Sequence, residues 1–74
     1  MNRTPVLVFR TSVRSVDDVA RLTPVLERVL SPSERWSFDL DDRDRVLRIE
    51  STGTTCDDVT SAMRMHGYGC VELE

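Results

Sequence analysis

The chain has 74 residues, enough for one domain (1–74) with a small core to which every element must contribute. A net charge of -3 argues against a general nucleic-acid binder, which needs a basic surface to neutralise phosphate. No apolar run approaches the length of a membrane span, and MNRTPVLVFRTSV does not read as a secretory signal, so the expected setting is cytoplasmic, without a membrane partner.

The first element, PVLVFRTSV (5–13), is rich in Val, Leu and Phe and carries apolar side chains at both alternating phases, which suits a central strand. Ser15 follows, with Asp18 three residues later. That spacing resembles a capping box at a helix start, with a carboxylate in the favourable first turn. Val19, Leu22, Leu26 and Val29 then recur every three or four residues, predicting an amphipathic helix through Leu30. Pro24 lies inside that pattern. One bent helix is expected rather than two, because Val19 and Leu22 belong to the same stripe as Leu26 and Val29.

SPSE (31–34) reads as a turn. RWSFDL alternates Trp36, Phe38 and Leu40 with polar residues, the pattern of a half-buried strand. DDRD (41–44) reads as a solvated hairpin connection and RVLRIES as the next strand. The alternating Asp residues of DLDDRDR do not make a calcium loop, because the central Gly and distal Glu are missing and Arg43 and Arg45 compete. A second helix opens at Thr55, with Asp57 and Asp58 in its first turn and Val59, Ala62 and Met63 along its stripe. Gly67 ends it. CVEL (70–73) is the closing strand. The order is βαββαβ, which in so short a chain points to an α+β ferredoxin-like sandwich: a four-stranded antiparallel sheet with two helices on one face. Expected core residues are Leu22, Leu26, Val29, Phe38, Leu47, Ile49, Val59 and Met63.

With these elements in place, FRTSVRSVDDVARLTPVL, WSFDLDDRDRVLRIE and TTCDDVTSAMRMHGYGCVEL together resemble a heavy-metal-associated domain, the small copper-chaperone module. VDDVARL matches the start of that family's first helix, and Gly67-Tyr68 its closing pair. The resemblance implies a C-x-x-C metal motif in the first loop. Here its two cysteines fall at Ser15 and Asp18, within Ser15-Val16-Asp17-Asp18. Cu(I) prefers soft thiolate or thioether ligands, whereas a serine hydroxyl stays protonated and a carboxylate is a hard donor. The expectation is a scaffold without its copper site, acting as a non-enzymatic protein-interaction or structural module.

The alternative is a rewritten metal carrier. If the sheet order is 4-1-3-2, His66, Tyr68 and Cys70 approach Ser15, Asp17 and Asp18. The set Asp17, Asp18, His66 and Cys70 then suits zinc better than copper. Against it stands a plainer assignment: a helix end with a favourable His, a small buried Cys and an acidic helix start. No metal and no cofactor is the expectation that follows. Cys56 and Cys70, separated by about ten helical residues at 1.5 Å each or ~15 Å, are expected to be free thiols. A single His without a Ser–His or Cys–His arrangement gives no basis for an enzyme. The strand RVLRIES lacks the aromatics on which an RNA-binding sheet stacks bases.

A sheet covered on one side leaves its other face for a partner, either a second copy (a homodimer) or another protein. If Leu7 and Phe9 point inward, Val6 and Val8 form that outer strip beside Val46 and Arg48. The opposite phase puts Leu7 and Phe9 on that face and makes the patch larger, so Val8→Lys and Phe9→Lys are the substitutions that probe it.

Overall fold

The computed structural model describes residues 5–73. Its elements in chain order are β1 (Val6–Thr11), α1 (Val16–Val29), β2 (Arg35–Asp39), β3 (Val46–Glu50), α2 (Cys56–Met65) and β4 (Cys70–Glu72). The four strands make one antiparallel sheet in spatial order β2-β3-β1-β4, with β1 internal between β3 and β4. This α+β arrangement is compatible with a ferredoxin-like fold.

Register settles the strand phase that the doubly apolar VLVF run leaves open. Leu7 stands opposite Ile49 and Phe9 opposite Leu47. Phe9, Leu47 and Ile49 are fully buried and join Leu22 and Leu26 of α1 with Val59 and Met63 of α2 in one core. Val13 and Leu30, just outside the regular elements, also belong to it. Two expected core residues, Val29 and Phe38, are only half-buried. Phe38 lies on the edge strand β2, which pairs on one side alone; there it meets Trp36 edge-to-face at a centroid distance of 5.8 Å.

The helix boundaries follow from local chemistry. Ser15 caps α1, its hydroxyl accepting from the Asp18 N–H at 3.3 Å. The Asp18 carboxylate reaches back one residue beyond the cap, to the Arg14 N–H at 3.1 Å. The reciprocal capping box stands instead on α2, between Thr55 and Asp58. Pro24 sits within a single α1. An internal Pro forfeits one helical hydrogen bond, and packing of Leu22 and Leu26 on either side outweighs that loss.

The end of α2 is a Schellman motif. The Gly67 N–H donates to Arg64 O and the Tyr68 N–H to Met63 O, both at 3.0 Å, with Gly67 at φ +84°. A glycine takes that left-handed turn without steric penalty. Its consequence is positional: Tyr68 is turned back towards the start of α1.

Candidate functional site

Because α2 and β4 return the chain to the β1–α1 loop, the resemblance-derived positions fall at one end of the molecule. Ser12 and Gly69 lock this end twice: the Ser12 N–H donates to Gly69 O at 3.1 Å, and the Gly69 N–H donates to Ser12 Oγ at 2.8 Å. Across that lock the Tyr68 hydroxyl donates to Asp18 Oδ1 at 2.8 Å. Asp18 is therefore engaged through both oxygens, Oδ2 by Arg14 and Oδ1 by Tyr68. Its pKa lies below the ordinary value, first because of the Arg14 N–H and next because of Tyr68. The Tyr68 phenol is pushed up by the same bond, with burial adding to the rise and Arg21 opposing it.

The other candidates do not converge on this pair. Asp17 is exposed in the first turn of α1, and His66 is exposed at the cap of α2. Cys70, with 2% of its surface exposed, is part of the core and stands opposite Thr11 in the sheet. Burial pushes its thiol up to about 11, Arg64 counteracting and Cys56 reinforcing the rise. Among the described residues no group of three or more His, Cys, Asp and Glu side chains is placed to hold a metal ion. The donor set at Ser15 and Asp18 is a capping hydroxyl and a doubly engaged carboxylate, which does not fit Cu(I). Met63 is buried and Met65 is exposed, so MRMH does not present two thioethers to one point.

Cys56, at the first position of α2, is a free thiol like Cys70. Its Sγ donates to Glu72 Oε2 at 2.8 Å, since β4 runs back alongside α2. A helix N-terminus ordinarily lowers a thiol pKa. Here the bond to Glu72, then burial, then the charge of Glu72 dominate and raise it to about 11.

The most developed polar structure lies at the opposite end of α1, where the sequence suggested only a turn. Glu34, 7% exposed, directs its carboxylate into the β3–α2 loop. Oε1 accepts from the Ser31 N–H at 2.7 Å and from Thr54 Oγ1 at 2.6 Å; Oε2 accepts from the N–H groups of Thr52 at 2.8 Å and Thr54 at 3.3 Å. Burial alone raises a carboxyl pKa, but Thr54 and the three backbone donors together hold Glu34 far below the carboxylate range. No signal within SPSE announces this, because three of the four bonds span 18–20 residues.

The outer sheet face carries Val6, Val8 and Val71, with Val6 54% and Val71 57% exposed. Val46 belongs to the same face but is buried, unlike the strip expected there. It is flanked in register by Arg10 and Asp39, which form ion pairs with Asp44 and Arg48. No helix of the described residues is long and apolar enough to cross a membrane.

Compared with known proteins, the chain matches no family model, no curated protein and no solved structure.

Proposed function

We propose that this chain is a cytoplasmic, non-enzymatic interaction module: a ferredoxin-like βαββαβ sandwich of heavy-metal-associated descent whose first loop has exchanged metal binding for a structural cap. The observation that carries the reading is Asp18. At the position of the family's second cysteine, both of its oxygens are held by the chain's own donors, Arg14 N–H and Tyr68 OH. A ligand position satisfied from within supports a scaffold role over a carrier role.

The surface left for function is the sheet face without helices. There Val6, Val8 and Val71 are interleaved with Arg10, Arg35 and Arg48 and with Asp39 and Glu50. Both signs of charge beside a short apolar strip suit a second copy of the chain better than phosphate, which calls for one sign. Scattered surface valines are common, so the interface is a weak one. Sedimentation over a range of concentrations tests it. The expected result is a concentration-dependent dimer abolished by Val6→Lys with Val71→Lys. A strict monomer that also binds no other protein through this face overturns the reading. Phe9→Lys is no probe of this surface, since Phe9 points into the core.

A further inference from the structure

The donors around Glu34 form a site in their own right. Ser31 N–H, Thr52 N–H, Thr54 N–H and Thr54 Oγ1–H come from two loops far apart in the chain, and all converge on one carboxylate. Two donors meet each oxygen, which matches the acceptor capacity of a planar carboxylate. The three backbone N–H groups lie before the cap of α2 or after the end of α1, so the cluster is a loop nest and not a helix terminus. Further bonds within the two loops do not involve Glu34. Ser51 Oγ donates to Thr54 O at 2.7 Å, and the hydroxyls of Ser31, Ser33 and Thr52 form a chain at 3.0 and 3.4 Å.

We infer that the α1–β2 turn and the β3–α2 loop together form a carboxylate-binding nest, in which Glu34 is the resident internal ligand and a small free carboxylate is the class of molecule that replaces it. Shallow grooves on either side give the nest a path to solvent. One is lined by Glu27, Leu30, Pro32 and Trp36, the other by Arg28, Gly53 and Asp58, and Glu34 borders both. Arg28 makes the second the better path for an anion. Asp58 does not close the second groove to an anion, because its carboxylate is turned to the Thr55 N–H and Arg28 shares the groove. The nest has two pairs of donors for two coplanar oxygens, so formate or acetate fits it and tetrahedral sulfate does not.

Thermal melting of Glu34→Ala in sodium formate, acetate, sulfate and chloride at matched ionic strength tests this. Formate and acetate are expected to raise the midpoint of Glu34→Ala in a saturable manner. At ten times the dissociation constant the rise is roughly 6–11 °C for a domain this small. The wild type and Glu34→Gln, in which the nest is filled, should show no such rise. If Glu34→Ala is unfolded in chloride, formate should restore its far-ultraviolet circular dichroism. Equal melting of Glu34→Ala in formate and chloride, an equal response from the wild type, a response as large to sulfate, or failure of formate to refold an unfolded variant overturns the inference.

Discussion

Asp18 and Glu34 stand at opposite ends of α1 and perform the same chemistry under different conditions. Each carboxylate satisfies backbone N–H groups of its own chain, and each has its pKa lowered by doing so. Asp18 engages one N–H and one phenol. Glu34 is buried between two loops, with two N–H groups of one loop, one of another and a threonine hydroxyl. Asp18 is half-buried and Glu34 is buried, so an unpaired donor is the more costly at Glu34. Burial and the larger number of bonds together place the greater stabilisation at Glu34.

The largest test of this difference is at Glu34. Removing a buried, fully bonded carboxylate leaves several donors unpaired, and Glu34→Ala should cost about 3 kcal/mol or more. That is comparable with the whole stability expected from a single core of this size. The pH dependence has a definite sign. Because the folded pKa is depressed, the stabilisation is complete above the ordinary value of 4.5 and declines only as pH falls below it towards the lowered value. The difference in urea midpoint between wild type and Glu34→Gln should be constant from pH 7 to 5 and shrink in stronger acid. A constant difference at every pH breaks the comparison.

A third engaged carboxylate, Glu72, offers an intermediate effect on a different observable. Raising the Cys56 thiol from 9.0 to about 11 lowers its thiolate fraction at pH 8 by ~100-fold. Iodoacetamide should label Cys56 slowly, and Glu72→Gln should accelerate labelling by an order of magnitude or more. The thiol form is favoured by folding, so this contribution to stability is complete below pH 9 and fades as pH rises towards 11. Equal labelling rates in both proteins contradict the assigned role of Glu72.

The smallest effect belongs to the Asp18 end. Tyr68→Phe deletes one hydrogen bond to Asp18 and leaves the Schellman turn intact, since the N–H of residue 68 still reaches Met63 O. Its melting midpoint should stay within a few degrees of wild type. A loss matching that of Glu34→Gln would mean that the two ends are equivalent after all.

What the sequence disclosed about these regions depends on the range of the interactions. The cap at Ser15, the stop at Gly67 and the stripes of Leu22, Leu26, Val59 and Met63 rest on neighbours within one or two turns, and they stand as read. The phase of β1 did not show, because VLVF is apolar on both faces and only pairing with Leu47 and Ile49 selects Phe9 for the core. Val13 and Leu30, read as the last residues of the first strand and helix, lie just beyond β1 and α1 and still pack in the core, a long-range contact that periodicity does not report. The Tyr68–Asp18 bond spans 50 residues and follows only from knowing which loops share an end. Glu34 was invisible for the same reason. A lone acid in a Ser/Pro turn looks solvated until the Thr-rich β3–α2 loop is folded around it.

The proposal that the first loop holds a structural cap at the positions where heavy-metal-associated domains hold metal is tested most directly by competition for Cu(I) against a selective chelator. The wild type should leave the metal with the chelator, and Ser15→Cys with Asp18→Cys should withdraw about one equivalent. Stoichiometric capture by the native loop that persists after Cys56→Ser and Cys70→Ser would contradict the account.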